Sequence, residues 1–481
     1  MTSSSNCDEA AGRFVSKAEA VLKSHPCRNG AVGISRAPAV VDVMGGIGED
    51  SGALVLTATA ALCFHAAAWR TDDDRISVRF IDEVDDAAAR DFSLPTACLR
   101  PEAEAADEII ARCRDGGCEE IAPGLLTLHQ ASLAGMLPPI EGGLCLVVQH
   151  DFPDHADLGR QTAHAAAVIC AVFKSFALQP DRLAQSRVCA EAIARLTGLY
   201  QRRKAMTSLC GPAEGVLLQL RFHSHPLCET LDLPDGVIVK ALATRLARPT
   251  TRQRLIETRT CSEMGHRMIL YLQEEDGQRA DPKESRLSAV TPAEFVTRYR
   301  DRMPSKITRK DFMAQFGAVR GLEDGDINPR GIYKVRSRAE HHIYENQRVH
   351  EFVASIIRAR RNNDAKALEN VGDLMYASHW SHSQRCGIGG VETDRLLNAI
   401  RKHGQAAGLL GAKVTSGGEG GEMVVLLRDD EQAHRTLDDL ISQAKAESRQ
   451  PVWLYDGALP GAEFFQAPSL AGGVVDSAGA L

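Results

Sequence analysis

RAPAVVDVMGGIGEDSGALVL, residues 36–56, decides the fold. On local chemistry alone it is a glycine turn between two strands. The apolar residues up to Met44 and those from Ala53 suit extended chain, and Gly45-Gly46 supply the turn.

Working outward, GAVGIS (30–35) reads as the lead-in strand, and residues 1–30, small, polar and mildly helical, read as an extension. Ala53 to Trp69 is the longest apolar run. Thr57, Thr59 and His65 interrupt it and it falls short of a membrane span, so it reads as a buried strand running into a helix. ISVRFI (76–81) is a strand behind the charged turn Thr71–Asp74, Asp107–Asp115 a helix, and Gly142–Phe152 a buried strand bounded by glycines. LGRQTAHAAAVICAVFKSFAL (158–178) is apolar nearly all round, which predicts a buried helix starting near Gly159. Residues 274–310 are rich in charge and read as an exposed connection. Residues 340–403 are strongly helical, with Asn362-Asn363-Asp364 as a cap. GAKVTSGGEGGEMVVLL (411–427) reads as strand, glycine-rich loop and strand, 434–448 as an amphipathic helix, and the end after Pro460 as frayed. Strands and helices mix without an internal repeat, which gives an α+β chain.

The chain has 481 residues, 44% hydrophobic and 25% charged, enough for two or three domains with cores of their own. A net charge of -7 argues against a nucleic-acid partner, which calls for a basic face. Thirteen cysteines without a CxxC pair fit reduced thiols, and the N-terminus lacks the basic start and apolar core of a signal peptide. The expected compartment is the cytoplasm, with neither membrane nor nucleic acid as partner.

Three segments carry a family resemblance. Residues 36–56 resemble the opening motif of L-arabinokinases, matching at Ala37, Pro38, Asp42–Ile47, Ser51 and Gly52. PDHADLGRQTA (153–163) aligns with the phosphate loop, and GAKVTSGGEGGE (411–422) with the closing glycine-rich motif. RSRAEHHIYENQRV (336–349), SHWSHSQRCGIGGVETDR (378–395) and PVWLYDGALPGA (451–462) extend the likeness to roughly residues 31–465. The chain is identified as a member of the GHMP kinase superfamily, on its L-arabinokinase and galactokinase branch.

The resemblance implies a two-domain GHMP kinase fold. Its N-terminal part is like the second domain of ribosomal protein S5, and its C-terminal part is the family's α+β domain. The expected layout is an extension over 1–30, the N-terminal domain over 31–273, a connecting segment over 274–335, the C-terminal domain over 336–465 and a flexible tail over 466–481. It also implies ATP and Mg²⁺ as cofactors, a sugar or sugar-like small molecule in the interdomain cleft, and no resident protein-bound metal.

Residue by residue, the carry-over runs as follows. Asp42, Glu49 and Asp50 fall where sugar hydroxyls are held, with Val40 replacing the family's Arg and Asp50 its Tyr. Gly159, Thr162, Gly417, Gly418 and Gly420 fall at the nucleotide. His155 and Asp157 stand at the loop glycines, and Gly159, Arg160 and Gln161 at the serines. A triphosphate there would meet Asp154 and Asp157, each like-charge pair at about 4 Å opposing it by roughly 4 kcal/mol at an effective dielectric of 20. In YQRRKAMTSLCG (200–211), Lys204 falls on the family's general base, Asp.

Two readings stay open. In one, the cleft runs phosphoryl transfer or another reaction with Lys204, Arg160 and His155, including an active kinase with Lys204 in place of Asp. In the other, the chain is a pseudokinase that senses a ligand or engages a partner, and the basic run Arg202–Lys204 is either an anion site or a solvated surface patch. His379, His382 and Cys386 recur at i, i+3 and i+7, a spacing that also suits metal ligands, whereas His341 and His342 read as structural.

Overall fold

The computed structural model describes residues 3–25, 27–28, 31–81, 89–102, 105–153, 156–223, 226–244, 251–278, 286–319, 321–322, 327–328, 330–415, 421–448, 452–455 and 457–465. The tail 466–481 lies outside them.

The N-terminal half runs α1 (Ser3–Ser24), β1 (Val32–Met44), β2 (Val55–Thr71), β3 (Arg75–Phe80), β4 (Arg90–Pro95), α2 (Ala105–Asp115), α3 (Ala122–Leu133), β5 (Gly143–His150), α4 (Arg160–Ser175), α5 (Arg182–Thr197), α6 (Arg202–Cys210), β6 (Val216–Arg221), β7 (Leu227–Asp232) and β8 (Val237–Thr244). The rest runs α7 (Thr251–Glu275), α8 (Pro292–Glu294), β9 (Ile307–Thr308), α9 (Arg309–Phe316), β10 (Ile332–Tyr333), α10 (Val335–Asn362), α11 (Ala365–Ser381), α12 (Val391–His403), β11 (Leu409–Val414), β12 (Met423–Arg428), α13 (Glu431–Ser448), β13 (Val452–Tyr455) and β14 (Glu463–Phe465).

Among the described residues one 8-stranded sheet has the order β14-β1-β2-β5-β3-β4, with β6 paired to β2 and β7 to β6. A 4-stranded sheet has the order β11-β12-β8-β13. Two strands therefore cross the boundaries expected from sequence: β8 joins the later sheet, and β14 returns to the first by pairing with β1. No described helix is long and apolar enough to cross a membrane.

Three expectations change. The run from Ala53 is one strand, β2, without a helix. Pairing with β1 and β5 along its length outweighs the helix preference of its alanines, and their small side chains let α4 and α1 lie against it. Residues 1–30 are not a loose extension, since α1 buries Phe14, Ala18 and Val21 in a cluster with Trp69 and Val147. Within the expected connection, Phe295, Tyr299, Phe312 and Tyr333 are buried together with Met264 and Ile343, so this segment has a core of its own. Of the 16 charged residues in 274–310, four fall in 279–285, outside the described residues.

The elements that carry the later motif are tightly set. α11 crosses β11 at Gly372, where an added Cβ would lie 1.9 Å from the Leu410 carbonyl oxygen. Gly372→Ala is therefore expected to destabilise the chain by about 1–3 kcal/mol, seen as a lower urea midpoint at an unchanged m-value.

Candidate functional site

The centre lies where β1 ends, with the 3₁₀ turn Gly46–Ser51 on one side and α6 on another. Gly45 sits at φ 82°, a left-handed conformation suited to glycine, and turns the chain so that Asp42 and Glu49 face α6. Between them lies Arg203. Its Nε and Nη2 donate to the two oxygens of Asp42 at 2.8 and 2.9 Å, and its Nη1 donates to Glu49 at 2.8 Å. The backbone N–H of Arg203 donates to the other Glu49 oxygen at 3.0 Å. Asp42, Glu49 and Arg203 are 0%, 4% and 4% exposed, so this planar fork is shut off from solvent.

Burial opposes the Arg203 charge, but the two carboxylates more than offset it and hold the guanidinium above its ordinary range. Burial pushes Glu49 up to about 7, with Arg203 drawing it down and Asp50 pushing it further up. Asp50 pairs with Arg259 at 2.9 Å on the wall of the small cavity beside Glu49. The room left beside Glu49, Arg203 and Tyr200 is about 40 Å³, enough for a water or so but not for a sugar ring.

A second group faces the start of α4. Lys204 is buried, with Nζ 3.5 Å from Asp157. Glu422, also buried, accepts the Asp157 N–H at 2.8 Å and a second backbone N–H from Leu158. Burial, then the charge of Asp157, pushes Glu422 up to about 8. Gly159 caps α4 at φ 73°, and an added Cβ would meet Val40 at 3.5 Å and Lys204 at 3.6 Å. The Thr162 hydroxyl donates to the Gly159 carbonyl at 2.7 Å.

Behind this group, Lys413 is fully buried and donates to the Val414 carbonyl at 3.1 Å. Burial pulls its ammonium down, against the pull of Glu345 and Asp42. Glu345 accepts from Arg348 at 2.8 Å, from the Ser378 hydroxyl, and from the Gly45 N–H at 3.3 Å. Burial pushes Glu345 up, but Arg348, His382 and Lys413 prevail and hold it at about 2.

The structure thus brings Asp42, Glu49, Lys204, Gly159 and Thr162 to one centre, with Asp50 and its partner Arg259 lining the small cavity beside Glu49 and Arg203. Arg160 faces a separate cavity on the α3–α5 side of α4. His155, Gly417, Gly418 and Gly420 lie outside the described residues. The run Arg202–Lys204 is buried helix rather than a solvated patch. His379 pairs with Asp394 at 3.0 Å and the His382 Nδ1–H donates to the Ser378 carbonyl at 3.0 Å. Among the described residues no cluster is arranged to hold a metal ion. Sequence reasoning grouped Arg203 with its basic neighbours and gave Lys413, Glu345 and Glu422 no role. The signals for the last three were their places in 411–422 and 336–349. For Arg203 no sequence signal existed beyond adjacency to Lys204.

No protein-family model matches the chain. It is 23% identical to L-arabinokinase from Arabidopsis thaliana over 491 residues, covering 90% of this chain and 46% of that protein. The chain thus spans about half the length of that relative. A galactokinase from Clostridium acetobutylicum is 31% identical over 115 residues, 24% of this chain and 26% of that protein. Among solved structures, Lactococcus lactis galactokinase complexed with galactose superposes with a TM-score of 0.63 at 16% identity, over 90% of this chain and 95% of that one. Methanococcus jannaschii mevalonate kinase gives 0.53 at 12% identity, over 89% and 98%. Across nine-tenths of its length the chain is similar in sequence to L-arabinokinase, and it shares the fold of galactokinase and mevalonate kinase.

Proposed function

We propose that this chain is a sugar-kinase homologue that has lost ATP-dependent phosphorylation of a sugar, and that it acts as a sensor binding a sugar-like small molecule. The observation that carries the reading is the Arg203 fork. Two of the three carboxylates assigned to sugar hydroxyls, Asp42 and Glu49, are bound on both oxygens by Arg203, with about 40 Å³ left beside Glu49.

The named relatives are kinases, so ATP with Mg²⁺ is what the resemblance implies. The residues at the start of α4 do not fit a triphosphate. The Asp157 and Leu158 N–H groups, which an anion would need, are taken by Glu422. The Asp157 carboxylate faces the same space, and the Thr162 hydroxyl is committed to Gly159. Lys204, the counterpart of the base, is buried with its Nζ paired to the Asp157 carboxylate at 3.5 Å. No phosphoryl step is assigned to this centre.

The test is ADP release from Mg-ATP in the presence of L-arabinose or D-galactose. Wild type is expected to match the protein-free background. Turnover that disappears in Lys204→Ala would restore the kinase reading with Lys204 in the base's place.

A further inference from the structure

A cavity of about 550 Å³ opens on the far side of α4 from the Arg203 centre. That is the size of a small-molecule site. Its wall carries four arginines, and three are already engaged. Arg195 pairs with Asp107 at 2.9 Å and Arg114 with Glu119 at 3.7 Å. Arg252 donates to the Thr197 and Leu196 carbonyls at the C-terminal end of α5. Arg160 is half-buried in the first turn of α4, and its guanidinium makes no ion pair or hydrogen bond with any described residue.

The rest of the wall limits what Arg160 can receive. His164 is buried and stacks on Phe64, ring centroids 4.1 Å apart at 10°. Burial pulls its imidazole down to about 3, so it adds no charge. Glu119, Glu120 and Asp107 line the cavity as well. A polyphosphate would face these three carboxylates with one uncommitted cation to offset them. A single carboxylate on Arg160 is matched in charge and in fork geometry. The remaining lone pairs of the acidic residues suit ligand hydroxyls, and the Phe64 and Ile110 surfaces suit the C–H face of a ring.

We propose that this cavity binds a monosaccharide carrying one carboxylate, of the uronic acid class, with the carboxylate on Arg160 and the hydroxyls on the acidic rim. The assignment rests on the reading that the ligand is sugar-like, and it names where that ligand sits and which charge it bears.

The test is isothermal titration of the full chain with D-galacturonate and D-glucuronate, their neutral parents D-galactose and D-glucose, and AMP. At least one uronate is expected to bind saturably, with its neutral parent about tenfold or more weaker. Arg160→Gln is expected to reduce the uronate to the neutral sugar's level without moving the thermal midpoint, and Leu196→Trp to abolish binding by filling the cavity. The assignment is overturned if neither uronate binds, if the neutral sugar binds equally, or if both variants leave the affinity unchanged. Arg160-dependent binding of AMP tighter than either uronate also overturns it, by making this a phosphate site. These outcomes are independent of ADP release, so loss of the uronate site and a return of kinase activity would be told apart.

Discussion

Arg203→Met is expected to destabilise the folded chain by about 3–5 kcal/mol, the cost of leaving buried carboxylates without their cation. Asp42 at 0% and Glu49 at 4% exposure are shut off from solvent that could replace the guanidinium. The measurement is a urea midpoint at neutral pH. The decisive arm repeats the substitution in an Asp42→Asn/Glu49→Gln background, where it strands no carboxylate and removes a cation already without its counter-ions. There the loss should shrink or reverse sign. An equal loss in both backgrounds would mean that Arg203 acts as filler and not as a counter-ion, and the case for a closed sugar site would fall with it.

Glu422→Gln is expected to stabilise the chain at alkaline pH and to do little in mild acid. In the unfolded chain this carboxyl loses its proton near its ordinary value of 4.5, whereas in the fold it holds the proton up to about 8. A raised carboxyl works against the fold. Between those two values the unfolded state sheds a proton that the native state keeps, so native stability falls as pH rises, and above about 8 the full penalty is present. The amide keeps an oxygen for the Asp157 N–H and has no proton to lose. Its gain should approach zero near pH 4.5 and reach the order of 4 kcal/mol at pH 9. Midpoints at pH 5 and pH 9 decide it. A change of equal size at both would show that Glu422 is not the titrating group.

The scaffold was legible because it rests on motifs that are local in sequence. The glycine turn after Met44, the strand at 142–152 and the helix from Gly159 each carry their own signal, and the resemblance tied them together. Where the reading failed, long-range pairing had overruled local preference. The alanines of Ala58–Ala68 favour a helix, and only the neighbouring strands make them a strand. The centre was legible as a set of positions but not as a set of bonds. Asp42 and Arg203 are 161 residues apart, and Glu422 and Asp157 are 265 apart. No spacing rule connects such pairs. The substitutions at Lys204 and Glu422 were visible one by one, but their pairing with Asp157, and the neutralising of Asp42 and Glu49 by Arg203, required coordinates.

The exchange of β8 and β14 between the two sheets has a consequence for how this chain can change. The first sheet takes its edge strand β14 from the last part of the chain and the second takes β8 from the middle, so neither sheet closes on a contiguous stretch of sequence. Two proteins that merely abut can drift apart once the molecule they share is no longer handled. Two that are stitched together cannot. A chain laced in this way keeps its outline under selection for folding alone, whatever chemistry its centre carries.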